Sequence, residues 1–573
     1  MDRETQRRMF ENTPEAIHEV KELLKEFQGT DGPLLPALHK LQDTYGCVTH
    51  EMRAAMEEML HIPATQIASV QSFYHFFSER PYGQYVIRLC GSAPCHMEKA
   101  DALLGAFEEV LGIRAGETTE DGRFTLLSTG CIGACDRAPA ALVNGRVYGP
   151  IDPARVREFI AGLFDGEEKE EETLAAYEAN RGYEALKRAL AQPEQIIPIL
   201  SESGLRGRSG SGFPVGLKWT TTLQEEADQK YIVCNADEGE PETAKDHRIL
   251  MERPHAVIEG MCIAAAAVSA SKGFIYLRQE YAALAPKLEA AIAEAKRAGY
   301  LGDRICGTEF AFDIALRLGA GAYICGEETA LLESIEGRRG TPRLKPPFPG
   351  ACGLWQKPTI INNVETLASV AEIILDGAES FRKDGTEKCP GKKLMTLSGC
   401  INRPGVYEIA IGTKVRTIYE DYAGGSRDGK KLLAIQTGGQ SGTIVTADFL
   451  DVNFDIESCQ AAGGFFGTGD LMFITEDVDL LELLVNIMGF FVDESCGKCA
   501  PCRIGLVHIV SLLKRIAAGE GETKDLENLE ALANQIKCTA RCAFGTAAVT
   551  PVLSSLANFR PVFESAVQRG GVW

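Results

Sequence analysis

Residues 204–219 read GLRGRSGSGFPVGLKW, and this stretch decides how the largest part of the chain is interpreted. Five glycines alternate with three cations, Arg206, Arg208 and Lys218. Glycine lets backbone N–H groups approach a phosphate closely, and the cations neutralise its charge. The stretch lacks the GxxxxGK[ST] pattern of an NTPase P-loop, and the preceding EQIIPILSES is helical rather than the strand of a Rossmann turn. We predict a site for a phosphate-bearing cofactor, with a plain flexible loop as the alternative.

Short apolar runs follow the glycine-rich stretch. YIVCN (231–235), GFIYLR (273–278) and FAFDIALRL (310–318) are separated by helical segments, which predicts a largely parallel α/β domain. Acidic loops follow two of these runs, CNADEGEPET (234–243) and GAYICGEETALLESIEG (321–337). Their carboxylates can accept hydrogen bonds from ribose hydroxyls and amides, which predicts a nucleoside ligand. Exposed loop acids without a ligand are the alternative.

Three cysteines near the C-terminus, Cys496, Cys499 and Cys502, are separated by two residues each in DESCGKCAPCRIG. Thiolates this close can hold three corners of a [4Fe-4S] cubane, and the fourth ligand must come from elsewhere. We choose Cys542 in CAFG. Cys538 competes with it, and spacing alone does not exclude Cys538. A zinc site would also use four thiolates, but three ligands within seven residues favour a cluster.

A second set of cysteines lies near the N-terminus. Cys90 and Cys95 are followed, after 35 intervening residues, by Cys131 and Cys135. Each pair follows a predicted strand, so loops would present the four sulfurs, as expected for a [2Fe-2S] cluster; zinc is the alternative. The other ten cysteines have no metal-like spacing and are interpreted as small buried side chains.

Changes in composition divide the rest of the chain. Residues 14–80 are predicted to be helical, and a small α/β unit begins at Tyr85. The charge run DGEEKEEET (165–173) is typical of a solvated linker. A segment at about 395–475 is rich in glycine and strand formers, and helical spacing returns from Leu480, which predicts a β-rich domain followed by a helical bundle.

Length and charge exclude several classes of protein. The 573 residues suggest roughly four domains, and a net charge of −21 disfavours nucleic-acid binding. The apolar segment from Leu480 to Val492 is shorter than the roughly 20 residues that cross a bilayer. The opening MDRETQRRMF lacks the apolar region of a secretory signal. With eighteen cysteines, this predicts a cytoplasmic protein with metal or redox chemistry.

Together these motifs resemble the NADH-oxidising flavoprotein subunit of respiratory complex I and its relatives in NAD-linked hydrogenases, formate dehydrogenases and electron-bifurcating reductases. The similarity covers about residues 180 to 565, where GLRGRSGSGFPVGLKW, NADEGEP, GAYICGEETALL, INNVET and ESCGKCAPCRIG occur in the family's order. Residues 1–165 resemble the family's separate thioredoxin-like [2Fe-2S] subunit, with its helical preamble and TGCIGAC motif. We therefore interpret the chain as a fusion of two subunits.

The resemblance implies an α/β multidomain fold with six regions. These are N-terminal helices at 1–82, a thioredoxin-like [2Fe-2S] domain at 83–165, an acidic linker at 166–178, a Rossmann-like FMN/NADH domain at 179–394, a ubiquitin-like β domain at 395–475 and a four-helix bundle carrying the [4Fe-4S] cluster at 476–573.

The resemblance also implies the site residues. FMN would be held by Gly207, Arg208, Gly210, Lys218, Asn235, Asp237, Tyr323, Gly326, Glu327, Asn362 and Asn363. NADH would stack over the flavin and contact Phe213, Glu240, Glu328, Lys345 and Phe348. The cluster ligands would be Cys90, Cys95, Cys131 and Cys135 for [2Fe-2S], and Cys496, Cys499, Cys502 and Cys542 for [4Fe-4S]. Because the cofactors carry the chemistry, no catalytic acid or base is expected.

Four positions depart from the family's pattern. Ser209 and Ser211 replace the usual Gly and Ala, and Glu242 replaces a Gly after the acidic loop. Thr221 lies where some relatives carry an aromatic residue that stacks on adenine. The added carboxylate and the missing ring would both alter dinucleotide affinity.

The function implied is the NADH dehydrogenase (diaphorase) module of a soluble multisubunit oxidoreductase, which exchanges hydride between NAD(H) and FMN and single electrons with the two clusters. Its partners would be other iron–sulfur subunits, with neither nucleic acid nor membrane insertion involved, and electron bifurcation is left open. Two alternatives stay open. One is the NADH-input subunit of a membrane quinone oxidoreductase, and the other is a zinc-stabilised nucleotide-binding scaffold without turnover.

Overall fold

The computed structural model describes residue 10 and residues 12–162 and 172–570. Most of the opening MDRETQRRMF, for which no secretory signal is predicted, lies outside the described residues. So do residues 166–171 of the predicted linker, and its remainder enters the helix Leu174–Ala179.

Helices form the first described unit, as the spacing predicts. They are Pro14–Leu24, Leu34–Tyr45, His50–Leu60 and Ala64–Gln71. The first helix begins where the Thr13 hydroxyl accepts a hydrogen bond from the amide of Ala16, with proline in the first turn. The second ends at Gly46, whose left-handed φ of 74° closes the helix. Their buried faces share one apolar core with the C-terminal bundle.

The second unit is a four-stranded sheet with flanking helices. Its strands are β1 (Tyr85–Cys90), β2 (Phe124–Thr129), β3 (Ala141–Val143) and β4 (Arg146–Tyr148), in the order β2-β1-β3-β4. β1 and β2 are parallel, and β3 and β4 form an antiparallel hairpin. The predicted turn at Asn144 and Gly145 has φ values of 48° and 86°, as a two-residue hairpin turn requires. The helices are Ala93–Met97, Ala100–Leu111 and Val156–Ala161.

The third unit is built on a parallel sheet. Its strands are β5 (Tyr231–Ala236), β6 (Lys272–Leu277), β7 (Asp313–Leu318) and β8 (Thr359–Asn363), in the order β7-β6-β5-β8. The chain moves outward from β5 to β7 and then returns to the other side of β5, which makes β5 and β8 a topological switch point. The main helices are Glu184–Ala191, Ile196–Ser203, Val215–Gln224, Lys245–Glu252, Pro254–Val268, Ala285–Arg297, Glu328–Ile335, Val364–Asp376 and Ala378–Phe381.

The fourth unit, called the β module below, is a mixed five-stranded sheet. Its strands are β9 (Lys392–Gly399), β10 (Gly405–Ala410), β11 (Leu432–Thr437), β12 (Thr443–Thr446) and β13 (Leu471–Thr475), in the order β10-β9-β13-β11-β12. β9 and β13 are parallel, and the other neighbours are antiparallel. The predicted boundary between residues 394 and 395 falls inside β9.

A helical bundle follows the β module. It contains Leu480–Asp493, Pro501–Leu506 continuing into Val507–Ala517, Thr523–Thr539, Ala543–Ala548, Thr550–Asn558 and Arg560–Gly570. Leu480–Asp493 is capped by the Asp479 carboxylate, which accepts hydrogen bonds from the amides of Leu481 and Glu482. Among the helices that the structure describes, none is long and apolar enough to cross a membrane.

Candidate functional site

The candidate site lies at the carboxyl ends of β5 and β8, where the strand order reverses. Asn235 and Asn363 are register partners there. The Asn235 amide donates to the carbonyl of Gly326 over 2.9 Å, and the Trp219 indole donates to the Asn362 side chain over 2.8 Å. The strand ends are thus tied both to the loop after β7 and to the helix after the glycine-rich loop. A doubly wound sheet binds its ligand at such a crevice.

The glycine-rich loop is a tight, internally bonded structure. Arg206 and Pro214 form a β-bridge, and the Gly207 amide donates to the carbonyl of Phe213 over 2.9 Å. Gly210 and Gly212 have φ values of 121° and 60°, which side chains rarely adopt. These contacts do not fit the plain flexible loop, and they leave backbone groups free of side chains where a phosphate would approach.

Two amines and two carboxylates meet beside this loop. The Lys345 ammonium lies 2.8 Å from Glu327 and 2.6 Å from Glu328, and that of Lys218 lies 3.3 Å from Glu328 and donates to the carbonyl of Ile361 over 2.8 Å. Burial would raise the pKa of Glu328, but the two ammonium groups outweigh it and lower that pKa. The Glu328 carboxylate therefore stays ionised between the two ammonium groups.

Glu240 links the acidic loop to the β module. Its carboxylate accepts hydrogen bonds from the Tyr323 hydroxyl and, over 2.7 Å, from the amide of Ser441. Burial raises the pKa of Glu240, and these two bonds oppose the rise. Burial likewise raises the pKa of Asp237 well above its usual value. Ser441 was not predicted, because only the folded β module brings it to the acidic loop.

A buried network of charged side chains contacts the main chain of the glycine-rich loop. Lys245 lies 2.6 Å from Asp246 and 3.2 Å from Glu365. Lys393 lies 3.0 Å from Glu365 and donates to the main-chain carbonyl of Arg208 over 2.6 Å. All five residues are buried. The sequence motifs did not predict this network.

Arg208 and Asn363 are placed at the site but have partners elsewhere. The Arg208 guanidinium donates to the carbonyl of Pro390 over 3.2 Å and lies 5.8 Å from the centre of the Phe381 ring. The Asn363 amide donates to Asp246, and its oxygen accepts from Lys245 over 3.2 Å. Both side chains therefore hold neighbouring segments of the site together by hydrogen bonds. At the rim of the site, the side chains of Phe213 and Phe348 are 47% and 60% exposed.

The structure brings the four N-terminal cysteines together on one side of this site. Cys90, Cys95, Cys131 and Cys135 are buried, and the sulfurs of Cys131 and Cys135 lie 3.5 Å apart. The neighbouring Cys131 thiol and burial raise the pKa of Cys135 well above its usual value. Four cysteine sulfurs presented together by two loops are a donor set that fits a [2Fe-2S] cluster.

Direct contacts join the N-terminal cysteines to the acidic loop. The buried Arg278 guanidinium donates to the carbonyl of Cys131 over 2.6 Å and also to the carbonyl of Glu238. The amide of Glu242 donates to the sulfur of Cys135 over 3.2 Å. Arg278 was not predicted as a site residue, although it directly follows β6 at the carboxyl edge of the sheet.

Glu242 has an unusual environment. Its φ is 81°, its side chain is buried, and neither carboxyl oxygen has a hydrogen-bond partner within the described part of the chain. Burial raises its pKa well above the usual value, and the nearby carboxylates of Asp470 and Glu240 add to the rise. Glu242 therefore places a buried carboxyl without a hydrogen-bond partner in the described residues beside the loop of Cys135.

The C-terminal cysteines lie on the other side of the site. Burial raises the pKa of the Cys502 thiol, and the nearby Cys499 and Cys542 thiols add to the rise. Cys496 contributes to the raised pKa of Cys542 in the same way, after burial. Cys542 directly precedes the helix Ala543–Ala548, whereas Cys538 is exposed. This geometry supports Cys542 over Cys538, and the four thiols fit a [4Fe-4S] cluster.

Aromatic contacts connect this second set with the site. The Tyr323 ring lies 5.8 Å from that of Phe544, two residues after Cys542, and 5.1 Å from that of Phe490. The amide of Tyr323 donates to Glu494 over 2.8 Å. No group of three or more His, Cys, Asp or Glu among the described residues is arranged to hold a single metal ion.

Comparisons with known proteins agree with this arrangement. Residues 200–372 match the Nuo51 FMN-binding domain, residues 20–163 the thioredoxin-like [2Fe-2S] ferredoxin and residues 482–566 the NADH-ubiquinone oxidoreductase-F iron-sulfur binding region. The chain is 46% identical over 398 residues to an NADH-quinone oxidoreductase subunit of Rhizobium meliloti, covering 69% of this chain and 94% of that protein. It is 37% identical to NAD-reducing hydrogenase HoxS subunit alpha of Cupriavidus necator, covering 96% of this chain and 94% of that one.

A solved NAD+-reducing [NiFe]-hydrogenase in the air-oxidized state has a chain that superposes with a TM-score of 0.83 at 34% identity, over 95% of both chains. The fold and the site thus define a class of protein: an oxidoreductase subunit that combines a flavin-binding domain with two iron–sulfur regions. The chain belongs to the family that includes the Rhizobium NADH-quinone oxidoreductase subunit and NAD-reducing hydrogenase HoxS subunit alpha. The α/β multidomain fold and the resemblance to this family are confirmed.

Proposed function

We propose that the chain is the NADH dehydrogenase (diaphorase) module of a multisubunit NAD-dependent oxidoreductase, with one FMN, one [2Fe-2S] and one [4Fe-4S] cluster. One observation carries the proposal. The residues around the switch-point cradle contact the loops of both sets of four cysteines, through Arg278 and the Cys131 carbonyl for one set and through the rings of Tyr323 and Phe544 for the other. FMN bound here would supply the conversion between a two-electron hydride transfer and single-electron transfer to the clusters.

The residues named from the resemblance divide into three roles in this proposal. Gly210 would offer its backbone amide and Lys218 its ammonium group to the flavin phosphate, whereas the Gly207 amide closes the loop by donating to the Phe213 carbonyl. Asn235 and Gly326 hold the ring end of the cradle by their mutual hydrogen bond. The Asn363 side chain acts indirectly, because its amide and its oxygen both bond the protein. The Arg208 guanidinium bonds the Pro390 carbonyl, but its buried Nε has no hydrogen-bond partner within the described residues.

NADH would enter over this cradle from the exposed rim. Glu240 and Glu328 offer carboxylate oxygens to ribose hydroxyls or to the carboxamide, and Tyr323 and Lys345 hold those carboxylates in place. Phe213 and Phe348 offer apolar surface at the mouth. None of these side chains is required to transfer a proton, since hydride moves between two rings held in contact.

The physiological partners are proposed to be other iron–sulfur subunits. Both relatives are named as subunits of larger oxidoreductases, and the hydrogenase subunit spans nearly the whole chain, including the fused N-terminal part. This favours a hydrogenase-like complex over the quinone-linked alternative. We further propose a cytoplasmic location, because the two sets of four cysteines proposed as cluster ligands need a compartment that keeps thiols reduced.

The test is anaerobic purification followed by metal and flavin analysis. We expect one flavin and about six irons per chain on the two cluster assignments, and bleaching of the flavin absorbance on addition of NADH. Protein that contains zinc, no flavin and no iron would refute the proposal and favour the scaffold alternative. Identifying the subunits that co-purify from native cells then separates hydrogenase-linked from quinone-linked complexes.

A further inference from the structure

All three nitrogen atoms of the Arg278 guanidinium are bonded within the protein. Nε donates to a carboxylate oxygen of Glu280 over 3.0 Å. One terminal nitrogen donates to the carbonyl of Glu238, and the other donates to the carbonyl of Cys131 over 2.6 Å and lies 2.9 Å from the second oxygen of Glu280. Because every nitrogen is held, the positive charge has a fixed position beside the loop of Cys131.

The ion pair of Arg278 and Glu280 is almost closed to water. The two side chains are 5% and 10% exposed. With Cys131, Gly239 and Tyr323 among others, they line a cavity of about 10 Å³, which has room for one water molecule at most. Burial would lower the pKa of Arg278, but the Glu280 carboxylate outweighs burial and raises that pKa. The guanidinium therefore stays charged, and its field is screened less than that of a surface charge.

Arg278 connects two loops of different function. Cys131 belongs to the N-terminal part of the chain and is a proposed ligand of the [2Fe-2S] cluster, whereas Arg278 directly follows β6 of the central sheet. The Glu238 carbonyl belongs to the acidic loop, in which Glu240 is a proposed NADH contact. The charge beside the cluster loop is therefore supplied by the flavin- and NADH-binding part of the chain, outside the cysteine motif itself.

We propose that Arg278 positions the cluster loop and raises the reduction potential of the [2Fe-2S] cluster, an inference that rests on the proposed function. Reduction adds one electron from the reduced flavin to the cluster, and hence one negative charge, while no bond forms or breaks in the protein. A fixed positive charge beside Cys131 stabilises the reduced cluster more than the oxidised one, which raises the potential. Glu280 carries the opposite charge and opposes this effect.

The experiment measures the midpoint potentials of both clusters in the anaerobically purified full chain, by redox titration followed by electron paramagnetic resonance. Arg278→Gln should shift the [2Fe-2S] equilibrium about tenfold toward the oxidised form, which is a fall of about 59 mV for a one-electron couple. The [4Fe-4S] potential should not change. Arg278→Lys keeps the charge and should restore most of the potential. Glu280→Gln removes the opposing charge and should raise the potential.

A matched control is Arg427→Gln. Arg427 also pairs with a carboxylate of the N-terminal part, at 2.8 Å from Glu98, but its side chain is 44% exposed. Because solvent screens an exposed pair, this substitution should change neither potential.

An unchanged [2Fe-2S] potential in Arg278→Gln would overturn the proposal. Shifts of the same sign in Arg278→Gln and Glu280→Gln, or equal shifts at both clusters, would overturn it too, because loosened packing and not charge would then explain them. Where Arg278→Gln takes up no [2Fe-2S] cluster, Glu280→Gln decides: a raised potential supports the proposal, and an unchanged or lowered one overturns it. An unsubstituted chain that binds no iron would instead refute the proposed function.

Discussion

Glu365→Gln should destabilise the central domain by about 3 kcal/mol at pH 7. The Glu365 carboxylate is the shared counterion of two buried ammonium groups, at 3.2 Å from Lys245 and 3.0 Å from Lys393. Glutamine keeps the shape and removes the charge, which leaves Lys245 with Asp246 alone and Lys393 without a carboxylate partner. Breaking one partner of a buried ion pair costs about 3–5 kcal/mol.

The pKa of Glu365 leads to a similar magnitude. Burial would raise it, but Lys393, Lys245 and Arg208 outweigh burial and lower it from 4.5 to about 2. At about 1.4 kcal/mol per pKa unit, this difference corresponds to about 3 kcal/mol. Because the folded pKa is depressed, this stability is present above pH 4.5 and is lost as the pH falls toward about 2.

Lys393 adds a second pH dependence of the same sign, at higher pH. Burial lowers its pKa to about 8, with Glu365 opposing and Lys245 and Arg208 assisting the decrease. The unfolded lysine titrates near 10.5, so the folded state gains stability as the pH rises from about 8 to 10.5. At pH 9 most Lys393 side chains in the folded protein are neutral. Removing the Glu365 carboxylate then leaves one buried cation fewer without a counterion than at pH 7. The effect of Glu365→Gln should therefore be smaller at pH 9 than at pH 7.

The assay is urea unfolding of the flavin-loaded chain at pH 7 and pH 9, followed by tryptophan fluorescence, to which the buried Trp219 of the same domain contributes. Glu379→Gln is the control, since Glu379 is exposed on the following short helix and should change stability by less than about 0.5 kcal/mol. A loss below about 1 kcal/mol in Glu365→Gln, or the same loss at both pH values, would refute the reasoning.

Two further substitutions test the cluster assignments. Cys542→Ala should remove about four of six irons and the corresponding paramagnetic signal, whereas Cys538→Ala should remove none; iron loss in Cys538→Ala alone would reverse the assignment. Gly133→Ala should deplete the [2Fe-2S] cluster, because the added Cβ would lie 2.0 Å from the Tyr281 hydroxyl at a φ of 70°. Gly112→Ala, at a φ of 69° with nothing within 4 Å, is the control for backbone strain alone, and equal iron loss in both would remove the steric argument.

The sequence pattern predicted those strands that are specified by residues close together in the chain. The apolar runs of β1, β2, β5 and β6 are short, β-branched or aromatic, and flanked by turns, so periodicity and composition suffice to find them. β8 was not predicted, because its five residues end in two asparagines and its pairing with β5 depends on a partner more than 120 residues away. The run at 310–318 becomes a strand only from Asp313, since Phe312 pairs with Gly302 instead.

The site divides in the same way. The residue spacings in the glycine-rich loop and in both cysteine sets predict phosphate binding and iron–sulfur cluster ligation. Other site residues do not belong to a recognisable sequence motif: Arg278, Ser441 and the Lys245–Glu365–Lys393 network. They become recognisable only in the folded structure, where tertiary packing places them beside the loops. Their burial is the physical signal, because an ionised side chain stays buried only when it is paired or hydrogen-bonded.

The contacts of the N-terminal helices explain what the fusion contributes to the site. His39 lies 2.8 Å from the carbonyl of Gly319, the Tyr74 hydroxyl donates to the carbonyl of Arg338, and the amide of Phe76 donates to that of Ala320. Residues 319 and 320 lie just after β7 and lead into the segment that contains Tyr323. A strand end alone does not fix such a loop, so the helices help to set the distance between flavin cradle and clusters. As a separate subunit they would lose translational and rotational freedom on docking, a cost of at least about 4 kcal/mol that a single chain largely avoids.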